Sequence, residues 1–168
     1  MRFFINEQRT VAAETILNYI KYCTDAYLFY QVKRQDLMGK QILTTNEKYY
    51  ISDHGIREAV FGGNMRDINP VLENIVYMEL LRQGYSVTVG KTGDKEIDFI
   101  CEKRDQKLYV QVAYLLASED TIQREFSSFD AIRDNFPKYV VSLDEFNMSH
   151  NGIKHWNIRD FLTAKEWN

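Results

Sequence analysis

Val89 to Leu115 reads VGKTGDKEIDFICEKRDQKLYVQVAYL, and the fold turns on how this stretch is divided. Two β-rich runs, Glu96 to Cys101 and Lys107 to Tyr114, flank the polar residues Lys103, Arg104, Asp105 and Gln106, which is a strand, turn, strand pattern. Side chains of a strand alternate between its faces. Leu108, Val110 and Val112 therefore share one face, while Tyr109, Gln111 and Ala113 share the other. On the first strand, Ile97 and Phe99 are expected on the apolar side and Glu96 and Asp98 on the second. The expected product is a hairpin with one apolar face and a carboxylate and a carboxamide, Asp98 and Gln111, on the opposite one.

Beyond the hairpin, Ser118 is placed to cap a helix whose buried side is Ile122, Phe126, Phe129 and Ile132, and Pro137 ends it near Phe136. Lys138 to Leu143, KYVVSL, reads as a short buried strand, and HWNIRDFL in the tail as a final strand and helix. Before the hairpin, Tyr85 to Val89 supplies one more strand. Ahead of that lies a helix capped by Asn69, with Pro70 in its first turn and Gly84 at its close. Val76, Tyr77 and Leu80 follow Glu73 at helical spacing, so Glu73 sits within an apolar stripe. An ionised carboxylate there needs a cation or donors. A glutamate at a helix edge with its head in water fits the sequence equally well. From Asn69 onward the order is helix, three strands, helix, strand, the signature of an α/β sandwich with a mixed sheet.

The first part of the chain has a different pattern. Thr10 to Cys23 reads as a helix, AYLFYQV as a strand, and Lys48 to Ser52, KYYIS, as its antiparallel partner across the loop Lys33 to Asn46. That order is the back half of a winged helix-turn-helix, with Lys33, Arg34 and Lys40 on the wing. A helix packed on a hairpin with a solvated loop is the plainer reading and the one that pattern alone favours. A short helix from Asp53 then ends at Gly62 and Gly63, a linker that divides a segment 1–64 from a segment 65–168.

A chain of 168 residues has room for one ordinary domain or two small ones, and 45% apolar residues suffice for a core. A net charge of −3 gives no overall basic field that would mark a nucleic-acid binder, although a local patch is compatible with it. Cys23 and Cys101 are far apart and lack metal-type spacing, as do His54, His150 and His155. With no long apolar run, the expectation is a soluble, cytoplasmic protein without a membrane span.

An acid on the first helix, an acid on the second strand and a polar residue on the third resemble the core of the PD-(D/E)XK nuclease superfamily. The matching positions are Glu73, Asp98 and Gln111. At a finer level, LENIVYMELLRQGYSV, EIDFI, YVQVAYLL and FPKYVVSLD are similar to a domain of unknown function found after the ATPase module in predicted prokaryotic AAA-type ATPases. TVAAETILNYIKYCTDAYLFY and KYYISDHGIREAVF are similar to the winged-helix segment that precedes that domain. The resemblance implies a restriction-endonuclease-like mixed sheet flanked by helices and preceded by a partial winged-helix segment. It also implies Mg²⁺ or Mn²⁺ held by Glu73 and Asp98, with Gln111 as third site residue and Tyr114 in support. DNA and an ATPase module are the implied partners.

The sequence departs from that family in two places. No Walker motif occurs: the GKT at Gly90 to Thr92 lacks the earlier glycine, Tyr85 standing there, and reads as a turn, so no ATP site is expected. The first helices of a complete winged helix are missing before Met1, which implies a fragment or a truncated relative. The family's lysine is replaced by Ala113. Phosphodiester hydrolysis builds negative charge that a metal ion and a fixed cation stabilise, and none of Lys95, Lys107 or Arg124 is an obvious substitute. Two functions follow: a metal-dependent nuclease, or a catalytically silent descendant that binds DNA or regulates a partner. A third reading leaves Asp98 and Gln111 as solvated strand residues.

Overall fold

A computed structural model describes residues 11–37, 39, 41–62 and 67–167. Helix α1 (Ala13–Asp25) leads into the hairpin β1 (Phe29–Asp36) and β2 (Ile42–Ile51), followed by α2 (His54–Phe61). Asp53 caps α2 by accepting from the Gly55 N–H at 2.6 Å. Helix α3 (Ile68–Arg82) then precedes β3 (Ser86–Thr92), β4 (Lys95–Lys103) and β5 (Gln106–Val112). After these come α4 (Glu119–Ser127), a 3₁₀ turn at Ser128–Ala131, β6 (Lys138–Ser142), β7 (Lys154–Asn157) and α5 (Ile158–Thr163).

All seven strands form one mixed sheet in the order β2-β1-β3-β4-β5-β6-β7. The fold is α/β, with helices on both faces of the sheet. β1 and β2 are antiparallel, and β1 continues into the sheet by parallel pairing with β3, Arg34 opposite Val89. The hairpin from residues 29–51 and the strands after residue 85 therefore share a single hydrogen-bonded sheet that crosses the linker expected at Gly62 and Gly63. Tertiary pairing of β1 with β3 decides this, and no local sequence signal announces it.

Each face of the sheet carries its own apolar cluster. Val76, Tyr77 and Leu80 of α3 and Phe161 of α5 pack against Phe99, Leu108, Val110 and Tyr139 on one face. Phe126 and Phe129 pack against Ile97, Ile100, Tyr109 and Ala113 on the other. The expectation of one apolar and one polar hairpin face is thus overturned, because α4 and its 3₁₀ extension cover the second side. The alternation along β5 holds, with Leu108, Val110 and Val112 together and Tyr109 and Ala113 opposite. On β4 it breaks: Ile97 and Phe99 lie on different faces.

Several local signals match closely. Ser118 caps α4 through a 3.2 Å bond from the Thr121 N–H, and the two-residue turn Arg104-Asp105 joins β4 to β5, with Arg104 at φ +52°. Others move. The helix expected to begin after Asn69 begins at Ile68, so Asn69 lies within its first turn, and the Asp67 side chain makes no capping bond. Asn74 and Glu79, which lie off the Glu73 stripe of α3, are also buried, because β2 flanks this helix near Asn74 and because Gln83 and Arg82 fold over Glu79. Gly90 to Thr92, expected as a turn, end β3, and the turn itself falls at Gly93, φ +57°.

Candidate active site

A bulge on β4 builds the site. Thr88 pairs with Ile100 and Gly90 with Ile97, so Val89 alone stands opposite both Asp98 and Phe99. An extra residue in one strand bends it and re-aims a side chain, which is why Ile97 and Phe99 part company. Gly90 makes the bend possible: a Cβ there would meet Ile100 at 3.1 Å and Ile97 at 3.2 Å. The regular β4–β5 ladder ends at Phe99 opposite Val110. Past that point Asp98 takes over the pairing. Its carboxylate accepts from the Val112 N–H at 2.9 Å, and its own N–H donates to the Gln111 carboxamide oxygen at 3.2 Å.

Glu73, Asp98 and Gln111, from helix α3, strand β4 and strand β5, line one cleft of about 400 Å³. Lys48, on β2, reaches these acids. Its ammonium lies 2.7 Å from Glu73, 2.6 Å from Glu96 and 3.5 Å from Asp98. Tyr50, two residues on and on the same strand face, donates its hydroxyl to Glu73. Arg34 on β1 pairs with Glu96. Asn74 locks the hairpin to α3 by bonding both the N–H and the carbonyl of Ile51, at 2.8 and 2.9 Å. The glutamate in the apolar stripe therefore has its cation and its donor, both supplied by the hairpin.

Electrostatics show how tightly the charges are held. Asp98, 8% exposed, is pushed up to about 7, chiefly because burial disfavours its anion and then because Glu73 repels it. Lys48 and the Val112 N–H oppose that rise only in part. Burial pulls Lys48 down, but Asp98 and Glu73 more than offset it and hold the ammonium above the usual lysine range. Burial also raises Glu96, yet Lys48 and Arg34 outweigh it and leave that carboxylate below its usual value. Tyr50 is raised by burial and by Glu73, so its phenol stays protonated.

Gln111 faces the opposite helix. Its amide nitrogen donates to Glu125 on α4 at 3.0 Å, and Arg124 grips the other oxygen of Glu125 at 2.7 and 3.0 Å. Glu125 is itself buried and lines the cleft. With both ends of its amide engaged, Gln111 is oriented rather than loose.

Of the expected contacts, Lys33 is exposed on β1 and is not among the residues lining the cleft. Arg34 points instead at Glu96, and Lys40 lies outside the described residues. Tyr114 does not line the cleft, whereas Lys95 and Arg124 do. Lys107 pairs with Glu102 on the far part of the hairpin. The search for a substitute cation is thereby corrected: Lys48 meets the acids. Its one sequence signal was its parity with Tyr50, which says nothing about which element the strand lies against. Glu125 was missed because its neighbours in sequence, Arg124 and Phe126, marked it only as a helix residue. Among the described residues, no group of three or more His, Cys, Asp and Glu side chains is arranged to hold a metal ion, and no helix is long and apolar enough to cross a membrane.

Comparison with known proteins gives relatives but no activity. No family model matches the chain, and no solved structure matches it. An uncharacterized protein of Haemophilus influenzae is 43% identical over 158 residues, which cover 94% of this chain and 39% of the relative. An uncharacterized protein of Methanocaldococcus jannaschii is 29% identical over 144 residues, covering 82% of this chain and 30% of the relative. The chain thus spans less than half the length of these curated relatives.

Proposed function

We propose that this chain is a phosphodiesterase module of restriction-endonuclease-like type that acts on DNA with Mg²⁺ or Mn²⁺, Lys48 serving in place of the lysine that Ala113 replaces. The observation that carries this reading is the meeting of Glu73, Asp98 and Gln111 in one cleft with the Lys48 ammonium against the two acids. The donor chemistry suits a hard cation. Mg²⁺ commonly takes one or two carboxylates and completes its shell with water and phosphate oxygens, and Glu73 and Asp98 are two carboxylates whose repulsion raises Asp98. When bound, the ion supplies charge stabilisation at the phosphoryl oxygens and acidifies a water.

The residues of the chain divide the remaining tasks. Asp98 and Glu73 provide the anionic oxygens. Lys48, moved off them, keeps its positive charge beside the phosphoryl oxygens as their negative charge grows. Gln111, fixed by Glu125, holds the Asp98 backbone, and Tyr50 holds Glu73. By the same resemblance, residues 1–64 act as a winged-helix-like segment in which Lys33 contacts phosphate, and an AAA-type ATPase module is the partner.

A second reading has its own support: a catalytically silent DNA-binding or regulatory module. The Gln111 oxygen is spent on the Asp98 N–H, and the Lys48 ammonium already occupies the space between Glu73 and Asp98. Cleavage of plasmid and single-stranded DNA with Mg²⁺ or Mn²⁺ separates the two. Metal-dependent cleavage that is lost in Asp98→Asn and in Lys48→Gln is expected. Cleavage that survives Asp98→Asn excludes this site as its source, and no cleavage with any metal leaves the silent module.

A further inference from the structure

Lys48 belongs to the outer strand β2, yet its ammonium stands among three carboxylates of α3 and β4: Glu73 at 2.7 Å, Glu96 at 2.6 Å and Asp98 at 3.5 Å. Glu73 Oε1 and Asp98 Oδ1 both face this nitrogen. The place between those two oxygens is also the one that a divalent ion shared by the two acids needs. With Arg34 on Glu96, three carboxylates meet two cations, and one negative charge is left over. The cations at the rim of the cleft are directed elsewhere, Arg124 at Glu125 and Lys95 towards Asp130.

A divalent ion added to this cluster while both cations stay turns the excess negative charge into an excess positive one. Balance returns when a phosphodiester, with its single negative charge, enters as well. Like charges a few ångströms apart in a partly buried site repel strongly, so ion and ammonium exclude one another between Glu73 and Asp98. Because the ammonium is tethered, it competes at an effective concentration on the order of millimolar.

The strand permits a change of partners. Asn74 clamps Ile51 at 2.8 and 2.9 Å, and from there the ladder with β1 runs in regular register as far as Lys48, opposite Val32. The next pair is Arg34 with Leu43, so the register breaks directly beyond Lys48. Such a break lets a strand bend locally. Glu96, which also lines the cleft, keeps a hold on the ammonium when Glu73 and Asp98 turn to an ion.

We propose that Lys48 is a latch on the ion site: in the free chain its ammonium holds the place between Glu73 and Asp98, and a phosphodiester in the cleft draws it off, so that nucleic acid and divalent ion bind together. The inference rests on the phosphodiesterase reading and adds regulation of the same site to it. The free chain stays poor in metal, and the cleft is armed only when a nucleic-acid phosphate arrives.

The test is Mn²⁺ affinity of the full chain at pH 8, read from the electron paramagnetic resonance signal of the free ion. A short DNA strand with phosphorothioate linkages, which resist hydrolysis, serves as the phosphodiester, and Mn²⁺ held by the strand alone is measured separately. The strand should tighten Mn²⁺ binding to the native chain by about tenfold or more. Without the strand, Lys48→Gln should tighten it by about tenfold. Arg34→Gln removes an equal charge from the same cluster but not from between Glu73 and Asp98, and should tighten it by less than about threefold. Native affinity indifferent to the strand overturns the proposal, and that measurement needs no substitution. So does Lys48→Gln binding Mn²⁺ no more tightly than the native chain, or no more tightly than Arg34→Gln, which would reduce the effect to net charge. Metal-dependent cleavage by a chain whose Mn²⁺ affinity ignores Lys48→Gln removes the latch but keeps the phosphodiesterase reading. Both affinity changes without cleavage of any DNA do the reverse.

Discussion

Asp98→Asn isolates the charge that the bulge buries. Asparagine keeps an oxygen for the Val112 N–H and removes the anion. In the folded chain the Asp98 carboxyl rises from 3.8 to about 7, which corresponds to roughly 4 kcal/mol against its ionised form. The folded state thus holds a proton that the unfolded state releases between those values. Stability contributed by this group falls as pH rises through that window, and the penalty is complete above about 7. The attraction of Lys48 is already counted in that balance, and Lys48 keeps Glu73 and Glu96 in the variant. The variant should therefore be more stable than the native chain at pH 8, by up to ~4 kcal/mol, or about 8–16 °C in Tm for a chain of this size. Below pH 4 the two should converge. Urea and thermal unfolding of both proteins across this range measure the difference. A variant less stable than the native chain at pH 8, or a difference that does not change with pH, would refute the account of Asp98 as a strained, under-neutralised acid.

Other substitutions test other parts of the site. Lys48→Gln should destabilise the fold by ~2–3 kcal/mol, less than for a fully buried cluster because these groups are partly exposed. Mn²⁺ should raise Tm more in this variant than in the native chain, since the tethered ammonium no longer competes for Glu73 and Asp98. A metal response no larger than that of the native chain would count against that competition. Asn74→Ala leaves the Ile51 N–H and carbonyl without their partner and should cost about 2–4 kcal/mol. Amide exchange at Ile51 should quicken with it, while that of β5 stays slow. Gly90→Val forces a side chain onto Ile97 and Ile100 and should release the bulge, so that the pH dependence assigned to Asp98 shrinks. An unchanged titration would show that the bulge does not depend on the glycine.

Much of this architecture can be read from residue order. Ser118, the polar turn at Arg104 and the alternation along β5 are short-range signals, and each acts through backbone geometry within a few residues; the helix expected to run to Phe136 instead ends at Ser127, with a 3₁₀ turn to Ala131, well before Pro137. The placing of Glu73 within an apolar stripe also called for a cation and a donor, which is what Lys48 and Tyr50 supply. What could not be read was where those partners come from. Parity put Lys48 and Tyr50 on one strand face, but nothing nearby in sequence brings that strand to helix α3.

Within the sequence itself lay most of the elements, their order and the mixed α/β class, because propensity, capping and side-chain periodicity are local properties of the chain; that Glu73, Asp98 and Gln111 belong together was implied by the resemblance alone. Tertiary structure alone decided that β1 pairs with β3, that one extra residue on β4 turns Asp98 out of the ladder, and that Lys48 and Glu125 close on the site from the two sides. Those outcomes depend on contacts between residues far apart along the chain, whose free energy is settled only when the whole sheet and its two apolar layers assemble.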